Sequence, residues 1–504
     1  MLLQAAISAM PASGGILLLP PGTFNIGTST LLVDKPITIE GSGGSLIGDG
    51  ALNPIRAVTT IVSTSPTADA IRVTAIGATL ENFAVVNSQG TLPTAGAGIN
   101  LLAGSQAKLD GVTVFGFWEN VRVSGVYWSI NQCHLYDPVN DGLIVDNIGS
   151  QYYDHADAGV IDSIISMMYR TYNANAAIKW VSGGGARIIG NKINGGNQPG
   201  NSPGPNAGKF AYGIDFAPTA NTVVDIDIHS NSIANCRVNH IRITQSGSGQ
   251  VQWFSIHGNQ INVGLAGQVA ILISAATSGA ANNIRHGQVE GNVMTALPGR
   301  GIEVNNATAI AIGRQRWNTT TDVLVTIGAA AIGCFVDEQD AAGISAVDIL
   351  VDSRPYNNNQ NLDGRVEHVY QRQVHIDAVS TPASAFTFGL AGADPLILDV
   401  SVTGMTTNAA ANSFSRKPAI LRQRRVATSP YNLGTVTLAT LGTDEAAGDA
   451  TASTVQLVFD VTTANQVTVK VQTSDATQVR FTGVVRVSVA GRPAKVRKPA
   501  VTGV

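Results

Sequence analysis

The chain has 504 residues, of which 13% are charged, 6% are aromatic and 54 are glycine, and its formal net charge is −3. Charge is at about half the usual quarter of residues and shows no basic excess, so nothing points to nucleic acid and none is expected as a partner; an anionic polymer would need a local basic patch, on which net charge is silent. Cys133, Cys236 and Cys334 are odd in number and far apart, which excludes a disulfide framework or a zinc motif read from spacing and predicts buried thiols.

At this length a single core is not expected. No apolar run reaches the roughly 18 residues of a membrane-spanning helix, so no membrane insertion is expected. MLLQAAISAM lacks the basic region that opens a signal peptide. Over 1–14, LLQAAISAM reads as a short amphipathic helix that covers the first coil of a repeat, with PASGG and PPGTF as turns around the strand ILLL.

From 15 to 352 the chain repeats. A six-residue pattern (apolar, any, any, inward, any, apolar) reads LENFAV at 80–85, LDGVTV at 109–114, INQCHL at 130–135 and IDSIIS at 161–166. It continues as IIGNKI at 188–193, IHSNSI at 228–233, IHGNQI at 256–261 and VEGNVM at 289–294. Spacings from 21 to 40 residues fit coils with fixed strands and variable loops. A second pattern interleaves with it: AIRV at 70–73, GINL at 98–101, NVRV at 120–123, AIKW at 177–180, GIDF at 213–216, HIRI at 240–243, AILI at 270–273 and GIEV at 301–304. Alternation sends every second side chain inward. One unit cannot bury that face alone, whereas strands stacked about 4.8 Å apart form a continuous core. The prediction is an all-β chain, a right-handed parallel β-helix over 15–352. Asn191, Asn231, Asn259 and Asn292 share one register and are expected to form an inward asparagine ladder.

Residues 353–365, with SRPYNNNQNLDG, read as a linker. Residues 366–490 carry some seven strand-like runs, expected to fold as an antiparallel β-sandwich. The basic tail 491–504 is expected to be disordered.

Aligning the coils lines up outward residues. In TVVDIDIHSNSI, Val224, Ile226 and Ile228 are expected to face in and Asp225, Asp227 and His229 out. Arg187 then falls beside Asp227; Trp253, Ser255 and His257 fall on the next coil, and His286, Gln288 and Glu290 on the one after. Two aspartates at i and i+2 of an extended strand have Cα atoms about 6.6–6.8 Å apart. That separation is compatible with the carboxyl pair of a glycosidase, with Asp225, near an indole, as acid and Asp227 as base. A solvated face of weak ion pairs is the simpler explanation of such charges, but an exposed Trp253 asks for more. Lys179, Asp215 and Arg242 form a second column, a salt-bridge ladder or the cationic side of a lyase site that neutralises a uronate. Lys179, Asp215, Arg242, Arg187, Trp253 and His257 are therefore the candidate substrate-binding residues, and Asp225, Asp227 and His229 the candidate catalytic ones. No metal site is read from spacing. No cofactor is expected, calcium being called for only by a lyase, and no dense acidic calcium loop is present; the nearest is YYDHADAGVID at 152–162. The longest insertion, NGGNQPGNSPGPNAGKFAYG at 194–213, lies beside the carboxylate wall and is a candidate binding loop.

LLQAAISAMPASGGILLLPPGTFNIG resembles the opening segment of the pectate-lyase-like superfamily as used in phage tailspikes. An Asp-Asp-Thr stretch usually precedes that segment and is absent here, which suggests that an N-terminal attachment domain is missing. AANSFSRKPAILR and VTVKVQTSDATQVRFTGVVRVSV resemble a β-sandwich of phage tail proteins. The resemblance implies a homotrimer on the virion tail that binds, and often cleaves, a bacterial surface polysaccharide. The superfamily holds hydrolases, lyases and non-catalytic members. A polysaccharide depolymerase is therefore expected, with a non-catalytic receptor-binding tail protein as the alternative.

Overall fold

The computed structural model describes residues 2–43, 58–102, 106–125, 127–146, 158–168, 172–196, 209–262, 268–276, 283–295 and 300–318, shorter stretches to Val336, and strand backbones between Val347 and Lys498. The chain divides into two compact units, Met1–Gly299 and Arg300–Val504.

In the first unit each coil contributes one strand to each of three parallel sheets. Apolar positions stack coil upon coil: Leu109, Ile130, Val160, Ile188, Ile228, Ile256 and Val289 are successive register partners on the first sheet. All of them are fully buried. The fold is a parallel β-helix, and each coil holds a third strand beyond the two that the sequence patterns distinguish.

The six-residue pattern spans a corner, joining a first-sheet strand to a second-sheet strand, as Thr79–Glu81 joins Ala84–Asn87. Its third position is left-handed in these eight coils: Asn82, Gly111, Gln132, Asp162, Gly190, Ser230, Gly258 and Gly291 have φ between 48° and 70°. That conformation turns the chain and favours glycine and short polar side chains. At Gly190 a Cβ would also stand 2.2 Å from Oδ1 of Asp162. The coil read as IDSIIS is corrected by one residue. Val160 pairs with Ile188 and Ile165 with Ile193, so Ser163 holds the ladder position and Ser166 lies past the corner.

The asparagine ladder is present. Nδ2 of Asn191 donates to Oδ1 of Asn231 at 3.0 Å and to the Val160 carbonyl at 2.8 Å, and the Asn191 backbone N–H donates to the same Oδ1 at 2.9 Å. Asn231 repeats this toward Asn259, and Asn259 toward Asn292. Ser163 extends the row, its N–H donating to Oδ1 of Asn191 and its Oγ accepting from the Cys133 N–H of the coil before. Buried amides are thereby satisfied from coil to coil. Trp180 and Phe216 of the third sheet stack inside the coils with Trp128, which lies just before the first-sheet strand Ser129–Asn131, with centroids 5.5 and 5.7 Å apart. Cys133 and Cys236 are buried free thiols, both pushed up to about 12 by burial.

Helix α1 (Leu2–Ala9) buries Leu3 and Ile7. Gln4 clasps the backbone of Leu32 from both sides, Nε2 donating to its carbonyl and Oε1 accepting from its N–H. Lys35 donates to the carbonyls of Ser8 and Met10 at the helix end.

In the second unit Arg300–Asn305, Val323–Ile327 and Val347–Val351 continue in parallel. Longer strands then pair antiparallel: Glu367–Ile376 with Arg480–Ala490, and Leu396–Thr407 with both Arg480–Ala490 and Asn412–Gln423. The unit boundary falls at Gly299, inside the stretch expected to be one domain. The linker 353–365 lies outside the described residues. Pro493–Lys498, within the tail expected to be disordered, is instead a strand pairing with Val347–Val351 and Ala383–Leu390. Lys495 and Arg497 flank Val496, a short alternation that composition hides.

Candidate functional site

Four strands of the first sheet, Arg187–Ile189, Thr222–His229, Gln250–His257 and Ile284–Glu290, bring most of the candidate residues together. The expected rows are in register. Arg187 is the partner of Asp227, Asp227 of Ser255, and Ser255 of Gln288; His229 is the partner of His257, and His257 of Glu290.

The row nearest the start of these strands differs from a flat sheet. Asp225, Trp253 and His286 lie at corresponding places and are all left-handed, with φ of 53°, 52° and 58°. Their flanking residues pair normally, Val224 with Gln252 and Ile226 with Phe254. Each coil is therefore kinked at one point. The kink interrupts alternation: Val223 and Val224 are both buried, Asp225 is exposed, and the in–out pattern resumes at Ile226. The spacing expected for aspartates at i and i+2 of an extended strand thus does not describe this pair, because one of them is the kink. Left-handed backbone costs an L-residue about 1–2 kcal/mol, and such outliers concentrate where a side chain has to be presented. Here they present Trp253, 51% exposed, with its ring stacked on His286 at 6.5 Å and 22° between planes. Gly287, following His286, is where the Phe254 ring fits: a Cβ there would stand 2.0 Å from it.

Beside this row, Asp227 gathers two imidazoles. Nε2 of His257 lies 3.1 Å from its Oδ1 and Nε2 of His229 3.7 Å from its Oδ2. The two rings are stacked at 4.8 Å. Nδ1 of His229 is 3.1 Å from Oγ of Ser230. All three side chains are partly exposed, so the group meets solvent from the flank of the coils.

Lys179, Asp215 and Arg242 are register neighbours on the third sheet, a separate face from the carboxylate wall. Only the last two pair. Nε and Nη2 of Arg242 grip the two oxygens of buried Asp215 at 2.7 Å each, and the guanidinium lies 3.6 Å over the Tyr212 ring. Lys179 turns instead to Asp141 of the preceding coil, at 3.9 Å. Asp141 has no exposed surface and accepts hydrogen bonds from Asn140, Asn175 and the Ala176 N–H. Burial nevertheless pushes its carboxyl up to about 6. Sequence reasoning missed Asp141 and its register neighbour Glu119. A signal exists in the sequence: Asp69–Arg72 and Glu119–Arg122 both form pairs at i, i+3, with the acid buried. Among the described residues this face is a set of paired charges. Most of the insertion at 194–213 and the residues Asp154, His155 and Asp157 lie outside the described residues.

No family model matches the sequence, and no curated protein matches it significantly. Solved structures with similar coils include the tailspike protein gp49 of Acinetobacter baumannii bacteriophage Fri1, a capsular polysaccharide depolymerase. It is 12% identical, with a TM-score of 0.31 and coverage of 98% of this chain and 83% of that one. The tailspike protein of E. coli bacteriophage HK620, solved in complex with a pentasaccharide, is 12% identical, with a TM-score of 0.43 and coverage of 97% and 89%. The A-module of the Azotobacter vinelandii mannuronan C-5 epimerase AlgE6 is 14% identical, with a TM-score of 0.38 and coverage of 65% and 93%. The likeness is one of fold, which the strand pairing of this chain establishes by itself.

Proposed function

We propose that the chain is a tailspike-type protein that binds and cleaves a bacterial surface polysaccharide on the flank of its β-helix. The observation that carries this reading is the Trp253–His286 stack, held outward by left-handed backbone and edged by Asp225 and Asp227. A sugar ring presents a C–H face that stacks on indole, and its hydroxyls suit the charged groups one row away. Asp225, exposed at the end of the platform, serves as acid and Asp227, oriented by His257, as base, with His229, Arg187 and His257 contacting substrate. An inverting pair needs carboxyls about 6.5–9.5 Å apart and a retaining pair about 5–5.5 Å. The kink at Asp225 leaves that distance to the rotamers. Lys179, Asp215 and Arg242 occupy another face and serve the alternative, elimination from a uronate.

The resemblance of the opening segment to tailspikes supports a place on the virion tail and a homotrimer, and the antiparallel strands of the second unit suit a β-sandwich. The test is product analysis of purified chain with a panel of capsular and exopolysaccharides, acidic ones included. New reducing ends without ultraviolet absorbance, abolished in Asp225→Asn and Asp227→Asn at unchanged folding, are the expected result. Unsaturated products would move the site to the third sheet. Binding without products would make the chain a glycan-recognition protein, and cleavage retained by the double variant would sink the assignment to the aspartates.

A further inference from the structure

We propose that Asp227, His229 and His257 form a binding site for one divalent transition-metal ion of the zinc class. The three donor atoms lie within 4.8 Å of one another, and they come from adjacent strands whose backbones are fixed by register, His229 opposite His257 and Asp227 two residues before His229. Donors about 2.0–2.2 Å from a shared ion stand roughly 3.3–3.5 Å apart in a tetrahedron. Nε2 of His257 is 3.1 Å from Oδ1 and Nε2 of His229 3.7 Å from Oδ2 of the same carboxylate, one on either side of that value. A turn of the carboxylate and of the two rings brings one oxygen and both nitrogens onto a common ion, and all three side chains are part-exposed and have the freedom to do so.

The hydrogen-bond pattern points the same way. When Nδ1 of His229 donates its proton to Oγ of Ser230, Nε2 presents a lone pair toward a carboxylate oxygen. In that tautomer the Nε2 lone pair and the carboxylate oxygen are both available to one cation. Such an outer contact fixes the tautomer of metal-ligating histidines. Two imidazoles and one carboxylate select zinc, cobalt, nickel or copper over calcium and magnesium, which prefer all-oxygen shells. Three protein ligands on an exposed flank leave a fourth position open to solvent. Spacing did not reveal the site, because its ligands are two residues apart on one strand and one coil away on the next. Ion binding does not depend on the cleavage proposed above.

The test is calorimetric titration of the untagged full chain with zinc chloride after chelator treatment, at about pH 8 where imidazole is neutral, together with the visible spectrum of the cobalt-loaded chain. One ion per chain is expected, with intense cobalt bands of four- or five-coordination and at least tenfold weaker binding of calcium. His229→Ala, His257→Ala and Asp227→Asn should each weaken zinc binding tenfold or more, while circular dichroism and melting temperature of the ion-free chains stay unchanged. Zinc affinity unchanged in the His229→Ala/His257→Ala double variant, or no stoichiometric binding by the parent, would overturn the site. Cleavage assays on the same samples report on the depolymerase reading separately, since an inactive chain that still binds zinc leaves the metal site standing.

Discussion

Trp253 is held where its side chain is useful and its backbone is not at ease. Its left-handed φ penalises any residue with a Cβ, and glycine escapes the penalty at an entropic cost of about 0.5–1 kcal/mol. Trp253→Gly and Trp253→Ala both remove the ring, so their difference isolates the backbone. The glycine variant is expected to be more stable by about 1 kcal/mol in thermal unfolding, and both should lose glycan binding in a titration against the cleaved polymer. Equal stability of the two would mean that the kink is not strained. Asp141 is the second residue whose environment makes a measurable statement. Burial raises its folded-state value to about 6, above the unfolded carboxyl's 3.8. The protonated form is therefore favoured by folding, and this contribution is full below about pH 4 and lost as pH rises through 6. The loss is ~3 kcal/mol at roughly 1.4 kcal/mol per pH unit. Asp141→Asn should lie below the parent in acid, having lost an acceptor, and the gap should narrow between pH 4 and 6. A gap independent of pH would contradict the burial effect.

Among elements, the asparagine ladder carries the most consequence per residue. Replacing Asn231 by Ala deprives the Asn191 backbone N–H and amide of the Oδ1 they share, and takes a donor away from the Ile188 carbonyl and from Oδ1 of Asn259. Buried groups left unpaired cost about 1–3 kcal/mol each, so Asn231→Ala should lower the unfolding temperature more than Ser163→Ala, whose hydroxyl serves only the Cys133 N–H and the Ile161 carbonyl. Comparable shifts would argue against coil-to-coil coupling. This ladder was legible in the sequence because its four asparagines repeat at one offset from buried apolar positions. The same offset failed at Ser163, where the run Ile164–Ile165 makes a one-residue slip look equally apolar. The outward rows were legible in register but not in geometry. Period-2 reasoning assumes an extended strand, and nothing in the side chains of Asp225, Trp253 or His286 announces a left-handed residue. The pairing of Lys179 with Asp141 was hidden for a different reason: the partner lies a coil earlier, in DGLIV, whose leading Asp-Gly has the composition of a turn although both residues belong to the strand.

At the scale of the first unit, stability is a sum of coils and their interfaces, and a strand at the end of a stack is an open template. Ile7→Asp should detach α1 from the coil it covers and free the backbone of Leu32 now clasped by Gln4. Light scattering is expected to show concentration-dependent association of this variant, with far-ultraviolet dichroism still β-rich. A variant that stays monodisperse would mean that the helix does not protect the edge. The stacked amides and the α1 clasp together place this protein next to amyloid in physical terms. Parallel strands about 4.8 Å apart, joined by in-register asparagines, are the repeat that a fibril diffracts. An oriented sample of the folded chain should give the same meridional spacing. What separates it from a fibril is that its left-handed corners bring the chain back onto itself once per coil, so growth ends inside one molecule instead of recruiting the next.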